Sequence, residues 1–268
     1  SYFVGNKTAG LPIAVVISCL FYGAISGSGP ATTAAVGSMC IPLLTSVGYD
    51  LTFATALVAV SGSLGIIIPP SIPYIMYCNA SGASISELFL AGFMPGVLIA
   101  LCLMVYSYIY CKIHGEDKDK LNAKCMELRA KGLGTVLKEG FWALMSPVII
   151  LGGIYGGIFT PTEAAAVSVV YGLFVGVFIY KTVRIKEMWA IVIDSASTTA
   201  TVMFITAASM FAYVLTRARL DVAISGALES VTGGSTIIFF LIVNIILLIA
   251  GCFLDSTSAL YIFTPLFV

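Results

Sequence analysis

Long apolar runs leave this chain too little charge to cover a water-facing surface, and that shortage decides its fold class. Of 268 residues, 59% are hydrophobic and 10% are charged, and the mean hydropathy is +1.06. A soluble domain carries about 25% charged residues. The composition therefore predicts an all-α polytopic membrane protein, each span a helix of roughly 20 apolar residues. Net charge is zero, so nothing electrostatic favours nucleic acid as a partner. The single histidine, His114, falls in a polar stretch, which argues against histidine-based catalysis or a histidine-rich metal site. The seven cysteines are scattered and lack CxxC spacing; they read as small hydrophobes. No initiator Met or signal-peptide pattern opens the chain, and "YIFTPLFV" closes it inside an apolar run. Both ends read as parts of a longer protein.

Spans are expected at about 49–79, 86–111, 141–159, 161–180 and 196–216. Two further apolar stretches, 8–46 and 234–268, are each interrupted by a polar turn, "SGSGP" in the first and "LDSTS" (254–258) in the second. Seven of the thirteen Lys and Arg lie in 112–138, and three more are Lys181, Arg184 and Lys186. By the positive-inside rule both loops are cytoplasmic. Counting spans outward from them, the first interrupted segment opens toward the cytoplasm and the second toward the outside, with 187–194 at the inner face and 221–230 as an outer connector. Arg217 and Arg219 then fall outside, against the rule. The two segments are expected to be re-entrant hairpins, each a helix to mid-membrane, a polar tip and a helix back. The second arms, "TTAAVGSMCIPLL" and "DSTSALYIFTPLF", are faintly alike, sharing tip hydroxyls and a proline, Pro42 and Pro265, and opposed orientation of such elements is the inverted-repeat pattern of secondary transporters.

A third break lies in "SGSLGIIIPPSIPYIM" (61–76). Pro69, Pro70 and Pro73 cannot continue helical hydrogen bonding, so the helix unwinds there. Unwound backbone at membrane depth is tolerated only against protein or a water-filled cavity.

The breaks have a chemistry. A helix that stops at Ser26 leaves free carbonyls, and one that restarts at Pro30 leaves free N–H groups. Carbonyls and hydroxyls suit a hard cation such as Na⁺; N–H groups at the positive end of a helix dipole suit an anion. The competing reading of any one break is a Gly/Ser kink for helix packing. The candidate Na⁺ ligands are Ser26, Gly27, Ser28, Gly65, Pro69, Ser71, Asp255 and Ser258. The candidate substrate-binding residues are Ser28, Gly29, Pro30, Thr32, Pro70, Ser71, Ser256 and Thr257. No catalytic residue is expected. Asp255 is the only acid in 234–268 and needs a partner at mid-membrane. The partner is an arginine, a proton or a bound cation, unless Asp255 merely caps the returning helix. Thr160, Pro161 and Glu163 in "FTPTEAAA" read as a capping box at the start of a helix.

"GAISGSGPATTAAVGSM", "GIIIPPSIP", "GIFTPTEAAAV" and "FLDSTSALYIFTPL", in that order from residue 23 to 266, closely resemble the large membrane subunit of tripartite ATP-independent periplasmic (TRAP) transporters. The resemblance implies Na⁺-coupled uptake of an organic acid, of the sialic acid or C4-dicarboxylate class, across a bacterial inner membrane. It implies a periplasmic substrate-binding protein and a small membrane subunit, separate or fused, as partners, and an elevator-type movement against a scaffold. On this view residues 1–111 hold the first repeat with its cytoplasmic-side hairpin and broken helix. Residues 112–140 form a cytoplasmic loop, 141–230 hold helices and the start of the second repeat, and 231–268 hold the periplasmic-side hairpin. The second repeat's counterpart of "GIIIPPSIP" is expected beyond residue 268. The alternative is a binding-protein-independent, Na⁺- or H⁺-coupled carboxylate transporter of the same superfamily. An intramembrane serine protease would need a histidine buried beside its serine, and a channel would need no opposed hairpins.

Overall fold

The computed structural model describes residues 7–267 except 119, 123–125, 127–132, 207–209, 211–212, 215–216, 218, 220–225, 227–229 and 255. The described residues form helices and connecting turns, with no strand among them. In chain order these are α1 (Gly10–Ser26), α2 (Gly29–Ser46), α3 (Leu51–Gly62), α4 (Leu64–Ile67), α5 (Ile72–Ser81), α6 (Ile85–His114), α7 (Leu133–Tyr155), α8 (Pro161–Phe174), α9 (Ile185–Thr206), α10 (Thr236–Gly251) and α11 (Ser256–Phe267). α8 continues into a π-helical turn at Val175–Ile179.

The chain divides into two compact units, residues 1–72 with 86–181 and residues 73–85 with 182–268. In the first, α1 and α2 pack as a hairpin against α3 and α4. One buried cluster joins Leu11, Val15, Leu44, Val47, Ala54 and Val58 toward the open end of the hairpin. A second joins Val16, Ala24, Leu57, Leu64, Ile68 and Ala100 nearer its tip. Each arm, 17 or 18 residues, is about 26 Å long, against a hydrocarbon core of about 30 Å. A tip at mid-depth then requires the arms to tilt or to begin in the interface.

α6 shows why these helices suit lipid. Leu90, Met94, Leu98, Leu101 and Val105 form a stripe at helical spacing, each more than half exposed. Gly92, Gly96, Ala100 and Ser107 face the protein. Large apolar side chains outside and small ones at the helix contact are the reverse of a water-soluble helix, and let backbones approach closely. Among the described residues, α6 and Pro161–Ile179 are each long and apolar enough to cross a membrane, and α3–α4 with α5 pass the same test only as a bent pair, either a broken span or a re-entrant loop.

Several boundaries differ from the sequence expectation. α7 begins at Leu133 and α9 at Ile185, inside stretches whose lysines and glutamates suggest loop. Charged residues are good helix formers, so these helices extend beyond their apolar spans. His114 is the last residue of α6 rather than part of the loop. The outer connector at 221–230 lies largely outside the described residues. Thr160 does form a capping box: its Oγ accepts from the Glu163 N–H at 3.3 Å, and the Thr160 N–H donates to Glu163 Oε2 at 2.8 Å. Glutamine can complete the same box. Glu163→Gln is therefore expected to lower the melting temperature by no more than about 3 °C and to leave the Na⁺ dependence of uptake unchanged, a pair of measurements that separates cap from ion ligand.

Candidate functional site

The first tip is built by two helix ends meeting. α1 stops after Ser26 because Gly27 turns left-handed, with φ +62°, and its N–H caps Gly23 O at 2.8 Å. A side chain there would be strained by the backbone, and its Cβ would lie 2.9 Å from Pro70 O, so only glycine fits. Ser28 is extended and α2 starts at Gly29 with Pro30 in its first turn, one residue earlier than the proline suggested.

Three hydroxyl and backbone groups close the turn. Thr32, fully buried, donates through its Oγ to Ser28 O at 2.8 Å. Ser26 Oγ and Thr32 Oγ share a hydrogen bond of 2.8 Å, and Ser26 Oγ also reaches Ser28 O at 3.2 Å. Ser26 Oγ in turn accepts from the Ser28 N–H at 3.3 Å. The Ser28 hydroxyl caps nothing in α2. The last carbonyls of α1 and the first N–H groups of α2 have no partner within their own helices.

The break lies directly against this tip. α4 ends at Ile67, Ile68 is extended, and the Pro69–Pro70 peptide is cis. The Ile72 N–H donates to Gly27 O at 3.3 Å, and Ser71, 1% exposed, donates to Ile66 O at 2.6 Å. A Cβ on Gly65 would lie 2.7 Å from Ser28 O, and one on Gly23 2.8 Å from the Gly65 Cα. The backbones of α1, the tip and α4 therefore approach closely, with the Thr32 hydroxyl beside the contact.

The structure thus brings together Ser26, Gly27, Ser28, Gly29, Thr32, Gly65, Pro70 and Ser71 of the residues expected from sequence. Pro69 is buried beside them, whereas Pro30 is exposed. The group is made of hydroxyls, carbonyls and N–H groups. No three His, Cys, Asp or Glu converge anywhere among the described residues. Sequence reading missed Ser61. It is fully buried, and its Oγ has no hydrogen-bond partner. It precedes Gly62, whose carbonyl would be 3.5 Å from a Cβ on Gly29. A buried hydroxyl without a partner costs about 1–3 kcal/mol, which a bound cation or water would remove. Its sequence signal was "SGSLG" just before the prolines.

The second tip belongs to the other unit. α10 ends at Gly251, and Ser256, Thr257 and Ser258 lie in the first turn of α11 rather than in the turn between the helices. Asp255 and the Thr257 side chain lie outside the described residues. Ser256 borders a cavity of about 390 Å³ lined mainly by apolar groups, among them Tyr77, Phe239, Val243, Leu260 and Phe263.

Residues 1–268 match the family model described as the tripartite ATP-independent periplasmic transporter, DctM component. The chain is 42% identical over 265 residues to the C4-dicarboxylate TRAP transporter large permease protein DctM of Pseudomonas aeruginosa, covering 98% of this chain and 60% of that protein. It is 40% identical over 267 residues to the isethionate TRAP transporter permease protein DctMQ of Oleidesulfovibrio alaskensis, covering 98% and 41%. It is 35% identical over 269 residues to the ectoine TRAP transporter large permease protein TeaC of Halomonas elongata, covering 99% and 61%. The chain spans about three fifths or less of the length of these relatives.

Proposed function

The chain belongs to the DctM component family of tripartite ATP-independent periplasmic transporters, and from that premise we propose that the whole protein imports a small organic anion across a bacterial inner membrane, driven by Na⁺. The C4-dicarboxylate in the name of the Pseudomonas aeruginosa relative supports the dicarboxylate class over sialic acid. A periplasmic binding protein delivers the substrate, and a small membrane subunit, separate or fused, supports the permease. The protein acts as a transporter rather than an enzyme.

The observation that carries this reading is the contact between the first tip and the break at Gly65–Ser71. Na⁺ is cargo here, and its ligands are carbonyls of the last turn of α1 and of the break, with hydroxyls of Ser26, Ser28, Ser61 and Ser71 nearby. Hard cations prefer such oxygens. The bound cation and the N-terminus of α2 then present positive potential to an anion. No lysine or arginine is needed at mid-membrane, where either would be costly. Elevator movement carries the tip and break together, so both ligands cross as one load.

The test is flux in liposomes holding the complete transporter. Uptake that needs both a Na⁺ gradient and an added binding protein is the expected result. Uptake without the binding protein favours the binding-protein-independent carboxylate transporter, and Na⁺-independent uptake removes the coupling claim. Within the same assay, Ser26→Ala, Ser61→Ala and Ser71→Ala are each expected to raise the Na⁺ concentration for half-maximal uptake about three- to tenfold, the effect of losing one polar ligand.

A further inference from the structure

The chain leaving α6 folds back over the open end of the first hairpin, and we propose that Glu116 is a positioning residue that fixes this base and thereby sets the tip, some 17 residues away, against the break. The inference rests on reading that tip as the binding element.

α1 supplies no cap of its own. Ala9 sits at the N-cap in the left-handed region, φ +60°, with no side-chain hydrogen bond to the helix, a conformation that costs a non-glycine residue about 1–2 kcal/mol. Its N–H donates instead to Glu116 Oε1 at 2.9 Å, across 107 residues of sequence. The hydroxyl of Tyr49, in the connector between α2 and α3, donates to the same oxygen. Burial, and then this bond, push the Tyr49 phenol well above its ordinary range, so it remains a donor. A carboxylate also suits the positive end of α1. Five residues on, Leu121 is 2% exposed and joins the cluster of Leu11, Leu44, Val47 and Ala54. One oxygen and one apolar side chain thus tie the end of α6 to the base of α1 and to the α2–α3 connector. The hairpin base and the polar stretch after α6 are thereby held together.

Leverage makes this more than a local cap. An arm of about 26 Å that tilts by about 10° at its base moves its tip by about 4–5 Å. The tip is set against the break by backbone approaches, such as the Ile72–Gly27 hydrogen bond of 3.3 Å, that do not survive such a shift. Glu116 therefore makes α1, the connector and the end of α6 move as one body.

Hydrogen exchange of the full-length protein in lipid nanodiscs tests this without transport. Glu116→Ala is expected to speed exchange about tenfold at the base amides of residues 9–13 and also at the tip amides of Gly27 and Thr32, leaving the middle of α6 unchanged. Glu116→Gln, which keeps the acceptor oxygen, is expected to stay within about threefold of the parent. Tyr49→Phe, a milder change that preserves the buried ring, is expected to fall between them at both ends. Faster exchange at the base alone reduces Glu116 to a helix cap and overturns the proposal. Unchanged exchange in Glu116→Ala, or a Glu116→Gln variant as fast as Glu116→Ala, also overturns it. Because the readout needs neither substrate nor Na⁺, a failed uptake assay counts against the transport reading and leaves this result standing.

Discussion

Gly65→Ala is expected to reduce Na⁺-driven uptake by about a hundredfold. The added methyl would sit 2.7 Å from Ser28 O and 3.1 Å from the Ser28 carbonyl carbon. Both are backbone atoms of the tip, so no rotamer change relieves the clash. Thr32 Oγ, which donates to that same carbonyl at 2.8 Å, lies in the way as well. Overpacking of this kind costs roughly 1–3 kcal/mol or more. Here the cost is relieved most cheaply by separating the tip from α4. That separation spreads the ion ligands apart, and about 3 kcal/mol lost from a bound state is close to a hundredfold. The measurement is initial uptake rate in liposomes, with folding followed by thermal unfolding. Gly134→Ala is the control, because nothing lies within 4 Å of a Cβ there, and it is expected to match the parent. Uptake by Gly65→Ala within twofold of the parent would show that tip and break need not touch.

What could be read from the sequence was local. Ser26, Gly27 and Pro30 mark the end of one helix and the start of the next because glycine and proline act through their own backbones. The Thr160–Glu163 box closes within three residues for the same reason. The prolines at 69 and 70 force a break wherever they stand. What could not be read depended on distant partners. Ala9 is not a capping residue, and nothing near it predicts that a carboxylate at 116 will cap its helix. The unpaired hydroxyl of Ser61 is a tertiary fact, since a helical serine ordinarily bonds its own preceding turn, as Ser107 does to Leu103 O at 2.8 Å. Charge patterns also misled at the helix starts. Lys138 in α7 and Lys186 with Glu187 in α9 are loop-like in composition, yet a helix leaving the bilayer keeps its hydrogen bonds while its side chains become polar.

Asp255→Asn is expected to abolish Na⁺-dependent uptake while leaving the fold intact, and it separates three roles that the sequence allows: ion ligand, proton site and helix cap. Asp255 follows α10 and immediately precedes α11, whose first residues are Ser256, Thr257 and Ser258. It is the only acid in 234–268. An unpaired carboxylate at membrane depth costs roughly 3 kcal/mol even on the mildest scale, so a charged Asp255 needs a cation. Arg217 and Arg219 are separated from it in sequence by all of α10 and its approach. A proton would neutralise it but would leave uptake coupled to pH rather than to Na⁺. A bound Na⁺ satisfies both the charge and the neighbouring hydroxyls, and it also removes the repulsion that a bare carboxylate would exert on an incoming anion. Asparagine caps a helix about as well as aspartate but carries no charge, so the variant keeps any capping role and loses the ion. Loss of uptake with an unchanged melting temperature assigns Asp255 to the coupling ion. Near-normal uptake with unchanged Na⁺ dependence leaves only the cap, and uptake that persists but loses its pH dependence points to the proton.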